Sequence, residues 1–236
     1  MNPVDLVLVL AFAVVWPAYS ARFGRAALRE AVEAGAAGAR RAEYGSTMLM
    51  LWTFAALAAA AALERGRSAA ELRLLPPTGV GLALGILAVA LVLVLLALQS
   101  RVGRSAAGRA AVRRQLEPLV WFLPHDAADR ALFRPLSVTA GICEEWLCRG
   151  YLLAVLTPPC GIFGAVAISS ALFGLAHGYQ GLLGVVRTGL VGLLLAGVVW
   201  ATGSLWPTIL IHAVADWMQG DLIVRALGEE PVGAAA

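Results

Sequence analysis

The sequence predicts an all-α protein, a polytopic bundle of about seven transmembrane helices. Of its 236 residues, 60% are hydrophobic and only 14% are charged, whereas a soluble domain is about half apolar and about a quarter charged. The mean hydropathy is +0.80, and apolar runs recur that are close to the roughly 20 residues needed to cross about 30 Å of hydrocarbon. This composition excludes a soluble globular domain. With three cysteines and almost no low-complexity polar sequence, it also excludes a disulfide scaffold and a disordered chain.

The individual spans follow from the apolar runs. In chain order they are predicted at 4–19, 44–63, 78–98, 131–156, 161–179, 182–201 and 205–224. The first run is short, but we interpret it as a span and not as a signal peptide. Its leading segment carries Asp5 and no basic residue, and Arg22, Arg25 and Arg29 follow it, the reverse of a secretory charge order. We divide the chain into N-terminal helices (1–130), a core that carries the candidate site (131–225) and a short tail (226–236).

The basic residues predict how the spans are oriented. All are arginine, and most lie in the connections: five between positions 22 and 41, three between 65 and 73, and five between 101 and 114. Arginines beside apolar runs are typical of topology signals, so no nucleic-acid partner is expected. The positive-inside rule places the first and third connections in the cytoplasm. We therefore expect an integral protein of a bacterial inner membrane, with its N-terminus outside and its C-terminus cytoplasmic.

The last four predicted spans contain ionisable residues, and six of these are the candidates for a functional site. A charge at the centre of a membrane helix costs about 2.5 to 3.5 kcal/mol, so such residues face the bundle interior or water and usually mark function. The six candidates are Glu144, Glu145, Arg149, His177, His212 and Asp216.

Helical spacing separates these residues into groups. Glu145 and Arg149 lie one turn apart and are predicted to form an ion pair, whereas Glu144 lies about 100° further round the helix and remains free. His212 and Asp216 also lie one turn apart and present two polar groups to one point. Phe173 and His177 are spaced in the same way.

Three motifs built from these residues resemble those of the CAAX-protease and bacteriocin-processing family (CPBP, or Abi) of intramembrane proteases. The stretch Glu144–Arg149 is similar to its EExxxR motif, Phe173–His177 to FxxxH, and His212–Asp216 to Hxxx[N/D]. Each motif is short and individually weak, but all three occur in order and each lies on a predicted span. The resemblance covers roughly residues 132–224.

The resemblance implies an intramembrane endopeptidase that hydrolyses a peptide bond in a membrane-tethered protein or a C-terminal tail. Glu144 would activate water as the general base, with His177 helping to hold that water. His212 and Asp216 would stabilise the oxyanion, and Glu145, Arg149 and Phe173 would support the site. A buried carboxylate and preorganised donors suit this chemistry, because an amide is a poor electrophile and water a poor nucleophile.

Position 216 departs from the asparagine of characterised CAAX proteases. Asp216 can donate to an oxyanion only when it is protonated; alternatively it orients His212. A third hypothesis is a zinc ion held by Glu144, His177 and His212, because carboxylate and imidazole groups are ligand types that suit this metal. The chain has no H-E-x-x-H sequence, so a metal-free glutamate mechanism without a cofactor is preferred.

Two other classes of function use the same residues. One is a catalytically idle family member that acts as an immunity or scaffold protein, and the other is a small proton-coupled transporter. Intact Glu144, His177 and His212 favour the enzyme. Cys143 and Cys148, which flank Glu144, are interpreted as small buried hydrophobes and not as nucleophiles.

Overall fold

The computed structural model describes residues 2–102, 104–116 and 119–227, and these residues form helices with short connections. No β-strand occurs in the described ranges, which confirms the all-α class. Of the predicted tail 226–236, residues 228–236 lie outside the described residues.

The described residues of the N-terminal half form six helices. The first three are continuous through two π-helical turns, Ala11–Val15 and Ser20–Gly24. Asn2 caps the first of them, because its side-chain oxygen accepts from the Asp5 amide at 2.8 Å and so satisfies a free donor. The helices are α1 (Pro3–Leu10), α2 (Trp16–Tyr19), α3 (Arg25–Glu33), α4 (Ala39–Glu64), α5 (Gly79–Val102) and α6 (Ala106–Leu116).

The C-terminal half carries all of the motif residues. Asp126 caps its first helix by accepting from the Asp129 amide at 2.7 Å. That helix leads directly into a π-helical turn, Trp146–Leu152, and a short 3₁₀ turn, Gly178–Gln180, lies further along. The helices are α7 (Ala127–Glu145), α8 (Leu153–Ala176), α9 (Gly181–Thr202) and α10 (Trp206–Leu227).

Each predicted span coincides with one of these helices or with a continuous run of them. Four helices in the described part of the chain are long and apolar enough to cross a membrane: Ala39–Glu64, Gly79–Arg101, Ala127–Ala176 and Gly178–Thr202. These four contain the second to sixth predicted spans. The first predicted span is the shorter apolar helix Pro3–Tyr19, and the seventh is α10, which carries His212, Asp216, Asp221 and Arg225 and is correspondingly more polar.

The run Ala127–Ala176 contains two antiparallel helices. At Gly161 the backbone has φ 66° and ψ 168°, which is not helical, and the preceding Pro158 and Pro159 supply no amide hydrogens. Ser169 Oγ donates to the Cys148 carbonyl at 2.8 Å, although 21 residues of straight helix would separate these positions by about 30 Å. The chain therefore reverses near Gly161, between the predicted fourth and fifth spans.

Contacts between connections define the two ends of the bundle. At one end the Leu205 amide donates to the Arg73 carbonyl at 2.9 Å, and Arg67 Nη1 donates to the Ala154 carbonyl at 3.1 Å. At the other, which we call the arginine-rich end, Arg40 Nε donates to the Trp121 carbonyl at 3.0 Å. Connections that the predicted span order assigns to the same side are therefore in contact.

Two glycines allow helices to approach closely where the site forms. A Cβ on Gly141 of α7 would lie 2.8 Å from Ala213 Cβ and 2.9 Å from the Ile209 carbonyl oxygen, both in α10. A Cβ on Gly174 of α8 would lie 2.6 Å from the Val185 carbonyl oxygen in α9. Small residues permit such contacts between membrane helices. The Gly141 contact brings the end of α7 beside His212.

We expect Gly141→Ala to destabilise the protein by about 1 to 3 kcal/mol, because the added methyl overlaps backbone that cannot move away freely. Thermal unfolding in mild detergent measures the effect. Gly197→Ala is the matched control, since nothing lies within 4 Å of the Cβ it would add. Equal unfolding temperatures for the two variants would contradict the close α7–α10 contact.

Candidate active site

Glu145 and Arg149 form the ion pair that their spacing predicts. Arg149 Nη1 lies 2.9 Å from Glu145 Oε1, and both side chains are fully buried. The guanidinium also lies 4.2 Å from the centroid of the Phe173 ring, a cation–π contact. A Cβ on Gly192 of α9 would lie 3.0 Å from Arg149 Nη2, so this glycine leaves room for the cation.

Glu145 also binds His212, a contact that the sequence did not predict. His212 Nδ1 lies 3.0 Å from Glu145 Oε1, across 67 residues of sequence. Since a carboxylate oxygen accepts, Nδ1 carries the hydrogen, and the opposite nitrogen is directed elsewhere. Helical spacing indicates only partners on the same helix. It could therefore predict the contact of Glu145 with Arg149 but not its contact with His212.

The other nitrogen of His212 faces two carboxylates. His212 Nε2 lies 3.9 Å from Glu144 Oε2 and 3.6 Å from Asp216 Oδ2. Glu144 Oε2 is buried and has no hydrogen-bond partner among the described residues. Glu144 is therefore the less constrained of the two adjacent glutamates, as predicted from the helix. Its carboxylate and the His212 imidazole are both available to a molecule that enters between them.

His177 lies directly after α8, one turn beyond Phe173. Its Nδ1 is 2.8 Å from the Phe173 carbonyl oxygen, and the two rings have centroids 4.8 Å apart. The carbonyl can only accept, so Nδ1 carries a hydrogen, and in the neutral ring Nε2 is an acceptor. The backbone of the FxxxH motif thus fixes the tautomer of its own histidine.

A cavity of about 530 Å³ joins these groups. Five predicted site residues line it: Glu144, Phe173, His177, His212 and Asp216. Glu145 and Arg149 do not line it, but are buried behind it. Exposure increases from the His212 side chain at 11% through Glu144 at 23% to Asp216 at 38%. The three motifs therefore meet at one internal space, although they come from different helices.

The remaining walls divide into an apolar and a polar part. The apolar residues are Phe12 in the π-helical turn Ala11–Val15, Trp16 in α2, Met50 and Phe54 in α4, and Leu172 in α8. Polar and aromatic residues near the arginine-rich end include Arg25, Glu43, Trp121, Tyr179 and Arg187. The sequence motifs did not indicate the residues from α1 to α4, because their hydrophobic pattern is the same as that of any membrane helix.

The connection before α7 covers the arginine-rich end of the cavity. Trp121 and Phe122 line the cavity, and Tyr44 Oη donates to the Phe122 carbonyl at 2.6 Å. His125 Nε2 lies 2.9 Å from the Val120 carbonyl oxygen. Partial burial lowers the pKa of the His125 imidazole, so at neutral pH the ring is uncharged, with Nε2–H donating to that carbonyl.

No three His, Cys, Asp or Glu side chains in the described ranges are grouped so that they could hold a metal ion. Glu144, His177 and His212, the alternative zinc ligands, share the cavity without forming such a group. The ligand types suit zinc, but the arrangement does not fit a preformed zinc site.

We expect Arg149→Met to destabilise the protein by about 3 to 5 kcal/mol, because it leaves the buried Glu145 carboxylate without its cation. The double variant Glu145→Gln/Arg149→Met should recover much of this loss, since a neutral amide can still accept from His212 Nδ1. Unfolding in detergent compares the two. A double variant no more stable than Arg149→Met would contradict the role assigned to the pair.

One family model matches the part of the chain that carries the candidate site. Residues 127–218 match the family model described as "Type II CAAX prenyl endopeptidase Rce1-like", a range that covers less than half of the 236-residue chain but includes every predicted site residue. No curated protein and no solved structure matches the chain. The family match supports an intramembrane endopeptidase that acts on a membrane-embedded protein. It confirms the predicted resemblance to the CAAX proteases, because residues 127–218 are similar to the Rce1-like type II endopeptidases across the whole of the candidate site.

Proposed function

We propose that this protein is a glutamate-dependent intramembrane endopeptidase in which Glu144 activates the attacking water. The observation that carries the proposal is the position of Glu144, His177, His212 and Asp216 around one internal cavity. Glu144 Oε2 has no hydrogen-bond partner there, whereas Glu145 is held by Arg149 and His212. A carboxylate free to exchange a proton beside an imidazole is the arrangement that water activation needs.

In the proposed reaction Glu144 removes one proton from water as the oxygen attacks the scissile carbonyl carbon. The carbonyl π electrons move onto oxygen and give a tetrahedral oxyanion. When this collapses, the C–N bond breaks and Glu144 returns the proton to the leaving amine. His177, with Nδ1 held by Phe173, directs its Nε2 as an acceptor for the water. The carboxylate thus serves as base and then as acid.

His212 and Asp216 are the proposed donors to the oxyanion. Glu145 accepts from His212 Nδ1 at 3.0 Å, so His212 donates to the oxyanion from Nε2 only as the doubly protonated imidazolium. The Nε2 proton then points toward Glu144 and Asp216. A donor held in place before the charge develops costs little reorganisation during the reaction. Asp216 contributes a second donor when its carboxyl group is protonated.

The proposed substrate is a membrane-tethered protein or a C-terminal tail. The cavity supports this assignment, because its apolar wall suits a lipid-embedded anchor and its polar wall suits an unfolded peptide. Positively charged connections lie at the polar end, and the positive-inside rule assigns that end to the cytoplasm. We accordingly place the protein in a bacterial inner membrane, with substrates entering from the cytoplasm or the inner leaflet.

Glu144→Gln should lower cleavage by at least about 100-fold, because the amide is nearly isosteric but cannot accept the water proton. Mass spectrometry of membrane-protein termini in cells with each form measures cleavage and identifies the substrate as the uncut species that accumulates. Glu33→Gln is the control, since Glu33 is exposed and pairs only with Arg29 at the surface among the described contacts. Unchanged termini with Glu144→Gln would refute the enzymatic function.

Asp216→Asn should keep or raise cleavage, because an amide donates a hydrogen bond without needing to be protonated. If Asp216 were instead a metal ligand, the same change would lower both cleavage and bound zinc, since an amide is a poorer ligand than a carboxylate. Elemental analysis of the purified proteins accompanies the cleavage assay. Asp221→Asn on the same helix is the control, because Asp221 pairs with Arg134.

A further inference from the structure

Asp5 is a buried acid in α1, outside the region that matches the family. It is only 2% exposed, although it lies in a helix predicted to enter the membrane. A buried carboxylate without partners is costly in such a helix, so its partners are informative. The motif residues between 127 and 218 do not use it.

Two residues from different parts of the chain bind Asp5. Tyr151 Oη donates to Asp5 Oδ1 at 2.8 Å, and Arg67 Nη2 lies 3.5 Å from Asp5 Oδ2. Arg67 Nη1 also donates to the Ala154 carbonyl, which lacks its helical partner because Pro158 has no amide hydrogen. The Asp5 carboxylate therefore links α1, through Arg67, to the connection after α4 and, through Tyr151, to the helical segment that follows Glu144.

Tyr151 lies in the π-helical turn Trp146–Leu152, which begins directly after Glu145. π-Turns are rare, and each contains one residue more than the α-helical turn it replaces. Relaxation to an α-helix would rotate the segments on either side by about 100° relative to each other. Such a rotation would displace Arg149 from Glu145, or Glu144 from the cavity.

The turn is held from several sides. Trp146 Nε1 donates to the Ala55 carbonyl of α4 at 3.0 Å, and the Cys148 carbonyl accepts from Ser169 of α8. The bond from Tyr151 to Asp5 is the hydrogen bond that joins the turn to α1. It anchors the same helix run that supplies Phe12 and Trp16 to the cavity wall.

We propose that Asp5 is a positioning residue for the active site: through Tyr151 it holds the π-helical turn in the register that directs Glu144 into the cavity. This inference rests on the proposed function of Glu144. In this proposal the N-terminal helix positions the active site as well as anchoring the protein in the membrane.

Cys148 reports the register of the turn without any substrate. Its side chain lines the cavity and is partly buried, whereas Cys143 is buried and Cys160 is exposed. In a Cys160→Ser background, we expect N-ethylmaleimide to label Cys148 slowly, because a partly buried thiol reacts less readily than an exposed one. Tyr151→Phe and Asp5→Ala should each change its labelling rate several-fold, and the double variant should match either single change. Asp5→Asn, which keeps an acceptor for Tyr151, should remain close to the parent.

Thr157→Val is the matched control, because it removes a hydroxyl from the same helix that bonds only to the Leu153 carbonyl among the described contacts. Cleavage by Tyr151→Phe should fall about tenfold or more, because small misplacements of reacting groups are costly. Labelling that matches the control in both Tyr151→Phe and Asp5→Ala would overturn the proposal. A Glu144→Gln variant that still cleaves would refute the proposed function alone, since labelling does not depend on catalysis.

Discussion

The structure of the site depends on the buried carboxylate of Glu145. It has no access to water, so both the ion pair with Arg149 and the hydrogen bond from His212 must be formed within the protein. Those two contacts join the end of α7 to the π-helical turn and to α10. Arg149 in turn requires the Phe173 ring of α8 and the space at Gly192 of α9. One buried charge thereby fixes the relative positions of four helices.

The two adjacent glutamates are distinguished by the helix and not by their chemistry. A rotation of about 100° between neighbouring residues turns one side chain into the packed interior and the other toward the cavity. Glu145 is fully buried with two partners, whereas Glu144 is 23% exposed and its Oε2 lies 3.9 Å from His212 Nε2. A single motif can therefore supply both a structural carboxylate and a reactive one, provided that the helix cannot rotate.

The sequence predicted the structural features that depend on local residue spacing. The apolar runs predicted the helices, and the separation of four residues predicted the pair of Glu145 and Arg149. The predicted fourth and fifth spans, 131–156 and 161–179, end and begin close to Gly161, where the chain reverses. The contact between Glu145 and His212 could not be predicted, because it depends on the close approach of α7 and α10 at Gly141.

The contribution of the N-terminal helices to the site also could not be predicted from the sequence. Asp5 suggested only that the first run was not a signal peptide, whereas in the structure it binds Tyr151 across 146 residues of sequence. The π-helical turn has no sequence signature of its own, because the same residues would be compatible with a regular helix. Long-range hydrogen bonds select it, and these become visible only once the helices are packed.

The cavity combines two parts of the chain that serve different needs. Its polar centre comes from residues 127–218, the part that matches the family. Much of its apolar wall comes from the π-helical turn Ala11–Val15, α2 and α4, which lie outside that match. In the proposed reaction, a peptide bond that reaches Glu144 must therefore pass surfaces that the family motifs do not specify. The chemistry of the reaction and the shape of the substrate that can reach it are set by different helices, and the contacts of the π-helical turn with α1 and α4 join the two.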